Sequence, residues 1–94
     1  MEFEWDTAKN ASNYAKHGVD FAHIFPVFDY SFVDIIVRRP MTEERRVALG
    51  HNVYGQFFFV VWTWRDDARR IISARKAGRY EREIHARAYG PLSP

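Results

Sequence analysis

Among the side chains able to do chemistry, His17 stands first, because an imidazole titrates near neutral pH and can both take and return a proton. Glu81 is the alternative: it falls amid the apolar stripe of Ala77, Ile84 and Ala88, where a carboxylate is either paired or raised in pKa. Fixed positive charge is concentrated nearby in sequence, with Arg65, Arg70, Arg75 and Lys76 around one hairpin and its exit. Such side chains stay protonated and grip anionic oxygens. Lys9, Asn13 and Lys16 align on one face of the first helix with His17 at its margin, so that helix presents a cationic row. A proton carrier beside fixed cations suits chemistry on an anion. Each residue also has a plainer reading: His17 complements the negative end of its helix, Glu81 pairs with a strand arginine, and Lys9 lies on a solvated face.

The elements that must hold these groups follow from patterning. Phe3 to Trp5 reads as a short strand, and Asp6 can cap a helix running to His17, where Gly18 takes the left-handed position. Ala8, Ala11 and Ala15 form a small-residue stripe suited to close packing on a sheet. Asp20 can cap a second helix, Phe21 to Phe28, which Pro26 should kink or end early. Strands are expected at Phe32–Arg39, ended by Pro40, and at Arg45–Asn52. Gln56–Arg65 is apolar on both alternating faces, as in a central strand covered on both sides. Asp66-Asp67 turns the chain back into a strand from Arg69 to Arg75. With a two-residue loop, Thr63 pairs with Arg70, Trp64 with Arg69 and Phe58 with Arg75, and a slip of one residue exchanges every face. Helical spacing returns from Ala77 to Tyr89 and stops at Gly90-Pro91. The fold class expected is α+β: one compact domain over residues 1–94, with a central antiparallel sheet of four to five strands, two N-terminal helices and one C-terminal helix.

Composition bounds the function. Ninety-four residues, 47% hydrophobic and 17% aromatic, suffice for one core, and the absence of cysteine excludes a disulfide framework and thiolate metal sites. His23, His51 and His85 share no metal-ligand spacing, so neither a metal nor another cofactor is expected. No run reaches the length of a membrane span, and a cytoplasmic protein without a membrane partner is expected. The net charge of +2 conceals a polarised chain: residues 1–37 hold two basic and six acidic side chains, residues 38–94 twelve and six. Eleven of the fourteen basic residues are arginine, which points to a polyanion or an acidic protein as partner.

An ordered set of these residues resembles the BrnT family, toxins of bacterial type II toxin-antitoxin systems. It comprises Phe3-Glu4-Trp5-Asp6, Lys9, Asn13, Lys16-His17-Gly18-Val19 and Phe21, then Arg46, Gly50, Thr63-Trp64-Arg65, Ile71-Ile72-Ser73-Ala74-Arg75-Lys76-Ala77, Glu81 and Tyr89. Pro26, and Asp67 in place of a glycine, depart from the pattern. The resemblance implies a RelE-like fold, an endoribonuclease that arrests translation, and a BrnA-like antitoxin partner through which alone operator DNA is met. RNA, free or on the ribosome, would be the substrate. A metal-free ribonuclease needs a base for the ribose 2′-OH, an acid for the leaving 5′-oxygen and positive charge for the transition state. His17, Arg65, Arg75, Lys76 and Glu81 are the catalytic candidates, and Lys9, Lys16, Arg46, Arg70, Arg79 and Tyr89 the RNA-binding ones. The alternative is a non-catalytic basic module that binds RNA or protein.

Overall fold

In the computed structural model, residues 2–38 and 44–92 are described. Strand β1 (Glu2–Trp5) leads into helix α1 (Thr7–His17), and two 3-10 turns, Phe21–His23 and Phe25–Asp29, follow. Strands β2 (Phe32–Val37), β3 (Arg45–His51), β4 (Phe57–Arg65) and β5 (Ala68–Lys76) precede helix α2 (Arg79–Tyr89). The expected end of β2 at Arg39 and Pro40 lies outside the described residues. One five-stranded sheet results, ordered β1-β5-β4-β3-β2. The α+β class holds, with one change: β1 pairs with β5 in parallel, so the sheet is mixed.

Local signals act as their chemistry requires. The Asp6 side chain accepts from the Lys9 amide at 3.0 Å, and Gly18, at φ 70°, donates to the Tyr14 carbonyl and closes α1. Asp20 caps as expected, accepting from Ala22 N at 2.9 Å. The segment it starts is not an α-helix: it forms two tight 3-10 turns, with Pro26 opening the second. A proline lacks the amide that a continuing helix would need, and the shorter turns still bury Phe21, Ile24 and Val27 completely.

These turns seal one face of the sheet. Phe21, Ile24 and Val27 pack with Ala48, Val60, Trp62, Ile71 and Ala74, and Phe28 meets Trp62 edge-on at 5.5 Å. Contact is close enough to require Gly50, where a Cβ would lie 2.6 Å from Val27 Cγ1 and 2.9 Å from Phe32 Cβ. Strand β4 is central but is not covered on both sides. Phe58, Val60 and Trp62 are buried, whereas Phe57, Phe59 and Val61 on the opposite face are only partly so.

The β4–β5 hairpin turns at Asp66-Asp67, Asp66 taking the positive φ of 54°, and starts in the expected register with Trp64 opposite Arg69 and Thr63 opposite Arg70. A bulge then intervenes, since Trp62 pairs with Ile71 but Val61 with Ser73. Ile72 is the extra residue. Arg75 therefore stands opposite Phe59 rather than Phe58, on the less covered face. The bulge also explains how Ile71 and Ala74, an odd number apart, both enter the core.

Each helix is held by a polar residue. On α1 the alanine stripe is exposed, and the side that packs carries Asn10 and buried Asn13. Asn13 Nδ2 donates to the carbonyls of Ala74 (2.9 Å) and Val19 (3.0 Å), while its Oδ1 accepts from Ala74 N (3.1 Å). Its carboxamide thus supplies β5 with the pairing that short β1 does not reach, which a methyl stripe could not do. On α2 the buried centre is His85, 1% exposed, whereas Ala88 of the expected inward stripe is exposed. His85 Nε2 donates to the Ser31 carbonyl at 3.0 Å, and its ring contacts Phe57, His51 and Tyr89.

Candidate functional site

The Asn13 anchor brings the cationic row of α1 against β5. Lys9, Ser12, Asn13, Lys16 and His17 line a cleft of about 210 Å³ with Ile72 and Ser73. Ser73 is also on the wall of a second depression, of about 360 Å³, whose other walls are Val37, Arg45, Val47, Phe59 and Val61. The two depressions therefore adjoin. One offers ammonium groups and an imidazole, the other an apolar floor of alternate residues from three strands with Arg45 at its border.

Arg75 belongs to the same side of the sheet. Its guanidinium lies 4.1 Å from the Phe59 ring centre and meets Glu81 fork to fork, Nη1 to Oε1 at 2.8 Å and Nη2 to Oε2 at 2.6 Å. Glu81 Oε1 also accepts from Gly78 N at 2.8 Å, which caps α2. The hydrogen bond from Arg75 lowers the Glu81 pKa below 4.5, outweighing the opposing effect of burial, and the same bond raises that of Arg75. Of the two sequence alternatives for Glu81, pairing is the one found. The carboxylate stays ionised and orients Arg75.

The remaining candidates are dispersed. Near the hairpin turn, Arg70 donates to Glu4 at 3.2 Å and Arg65 lies 3.8 Å from the same carboxylate. At the other end of β5, Lys76 lines a separate depression with Gly55, Gln56, Phe57, Ala77 and Arg82. From Arg70 to Lys76 the strand runs about 20 Å, too far for both to hold one phosphate. Arg79 is exposed and pairs with Glu83 at 3.3 Å. Arg46 lies on the face that bears the 3-10 turns, bonded to Asp34 at 2.6 Å and 5.7 Å from the Trp62 ring. Tyr89 donates its hydroxyl to the Phe32 carbonyl at 2.7 Å, which ties α2 to β2. His17, Lys9, Lys16 and, by way of the sheet, Arg75 are the candidates that share one side.

Sequence reasoning passed over Ser73, Arg45 and Phe59 as groove residues, and Asn13 as an anchor. A signal existed for Asn13, since asparagine is a poor helix former amid Lys9, Ala11 and Ala15 and invites a tertiary reason. Arg69, expected only as the cross-strand partner of Trp64, lies with its guanidinium 4.4 Å from the ring centres of both Phe28 and Trp62 and 4.9 Å from that of Trp64. Burial lowers its pKa, partly offset by Asp34. Among the described residues, no group of three His, Asp or Glu side chains is arranged to hold a metal ion, and no helix is long and apolar enough to cross a membrane.

A five-stranded mixed sheet with a cationic helix docked along one strand defines a small α+β protein whose open face suits an anion. The family of the ribonuclease toxin BrnT, of type II toxin-antitoxin systems, matches residues 5–81, and the chain belongs to that family. It is therefore a ribonuclease toxin by family, and such a family implies a protein antitoxin and an RNA substrate. The chain is similar to the ribonuclease toxin BrnT of Brucella abortus, known from a 1.1 Å crystal structure, at 29% identity and a TM-score of 0.66. The likeness covers 84% of this chain and 99% of that one. No curated protein sequence matches the chain closely enough to count.

Proposed function

We propose that this protein is a metal-independent endoribonuclease that arrests translation, acting in the joined depressions around Ser73, and that a cognate BrnA-like antitoxin neutralises it. The observation that carries this reading is the meeting of Lys9, Lys16 and His17 with β5 at Ser73, on a chain of the BrnT family. The ribose 2′-OH attacks the adjacent phosphorus, its proton passes to a base, and the 5′-oxygen leaves as an alcohol after receiving a proton. The products are a 2′,3′-cyclic phosphate and a 5′-hydroxyl. His17 is the proton carrier, Lys9 and Lys16 neutralise the nonbridging oxygens, and Arg75, oriented by Glu81, adds charge from the strand. Arg65, Arg70, Lys76 and Arg79 guide the flanking backbone rather than the scissile phosphate. Operator DNA is met only through the antitoxin.

Purified protein incubated with bulk RNA in the presence of EDTA is the test. Cleavage with cyclic phosphate ends is expected, and His17→Ala, which leaves α1 and its Asn13 anchor in place, should slow it by about 10²-fold or more. Intact RNA at high protein concentration, with and without ribosomes, overturns the reading. It would leave a basic module that binds without cutting.

A further inference from the structure

Strand β2 is the outermost strand of the sheet, and among the described residues no strand lies beyond it. Its sequence, Phe-Val-Asp-Ile-Ile-Val, contains no lysine or proline to discourage pairing. Its one charge, Asp34, is bonded to Arg46 of the neighbouring strand at 2.6 Å. Ile35 and Ile36 are 39% and 42% exposed. Consecutive strand residues point to opposite faces, so apolar surface is open on both sides of the same edge. A helix laid on the sheet would cover one of these isoleucines. A strand added alongside β2 would cover both, with its backbone satisfied by that of β2.

We infer that the edge of β2 beyond Phe32, whose carbonyl Tyr89 already holds, receives an extended segment of the protein antitoxin, which joins the sheet as a sixth strand. This rests on the toxin reading above, which supplies the partner. Charge fixes its character: Arg38, which follows β2, is exposed and only loosely paired with Glu44 at 3.8 Å, and Arg45 borders the groove beside Val37, so the segment carries apolar residues in alternation and acidic residues at its end. From Ile35 the apolar surface continues through Val47 to Phe59 and Val61, because β2 pairs with β3 and β3 with β4. A segment seated on the edge is thereby directed across the depression that adjoins Ser73. Neutralisation follows from covering that floor.

The experiment uses the full chain purified with its cognate antitoxin, sought as the product of a small reading frame next to its gene. Ile35→Glu and Ile36→Glu, made separately, should each weaken the complex by about tenfold or more, while both free variants still cleave RNA. Backbone amides of β2 should exchange with deuterium more slowly in the complex than in the free toxin. Loss of affinity in only one of the two variants indicates docking on a single face and overturns the inference. So does unchanged exchange at β2, or failure of the neighbouring gene product to bind. Slowing of β2 exchange by an RNA oligonucleotide alone assigns the edge to RNA, and slowing that grows with free toxin concentration assigns it to a second copy; both overturn it. Cleavage of RNA is read separately, so a toxin that cuts but leaves β2 exposed refutes the edge site alone, and a complex that protects β2 around an inactive chain refutes the activity alone.

Discussion

Helices α1 and α2 are of equal length, eleven residues each, yet they are attached in different ways. Helix α1 reaches the sheet through an amide that hydrogen-bonds to the backbone of β5, so its lysines stay exposed beside a strand edge. Helix α2 is held by an imidazole among aromatic rings and commits Glu81 of its first turn to Arg75. Polar anchoring leaves the cationic row exposed, whereas aromatic anchoring closes one end of the same sheet face. The difference shows how a small protein can both stabilise and keep open a single surface.

The two attachments can be broken separately. Asn13→Ala should cost the most, about 3 kcal/mol in denaturant unfolding, because it leaves the Ala74 amide and two carbonyls without partners. Asn13→Asp should recover little of this, since a carboxylate cannot donate to either carbonyl. His85→Ala should cost about 2 kcal/mol by removing a buried ring and its bond to Ser31, while leaving the cleft beside α1 intact. If His85→Ala lowers RNA cleavage as much as Asn13→Ala at a temperature where both remain folded, the separation between the helices fails. Glu81→Gln should cost about 1 kcal/mol, because the Arg75 pair is only partly shielded from water. Its larger effect should fall on cleavage, by freeing the Arg75 guanidinium to turn.

Acid should produce the smallest change, and it tests both helix starts. Hydrogen bonds from Lys9 N to Asp6 and from Arg75 to Glu81 lower both carboxyl pKa values, from 3.8 and 4.5 respectively. A carboxylate with a lowered folded pKa contributes fully above its unfolded value and loses that contribution as pH falls through the folded one. Thermal midpoints should therefore be level above pH 5 and decline below about pH 4.5. Glu81→Gln and Asp6→Asn should each flatten that decline, the first from its onset near pH 4.5 and the second only from about pH 3.8 downward.

Much of this arrangement is legible in the sequence because it is local. Asp6, Asp20 and Gly18 act on backbone groups a few residues away, and the Asp66-Asp67 turn fixes the register of its immediate neighbours. The cationic row of Lys9 and Lys16 is likewise a matter of helical spacing. What depends on distant partners is not legible. The buried side of α1 is chosen by the unpaired edge of β5, sixty-one residues from Asn13, and no periodicity encodes that. Pro26 announces the break after Phe21, and a strand arginine is one of the two readings for Glu81, but that this arginine is Arg75 depends on the register beyond the bulge. The candidate residues stand out by type, but their division between two faces and two ends of the hairpin required the bulge.

That bulge makes Ile72 a joint between two reading frames in one strand. On the side of the turn, side-chain parity is set by Asp66-Asp67; on the side of α2, it is set one residue later. Pairing Ile72 in regular alternation, without the bulge, would exchange inside for outside along half of β5, carrying Arg75 to the core and Ala74 to the open face, with no change in the identity of any residue. A single spacer thus makes the sign of a surface depend on counting rather than on composition.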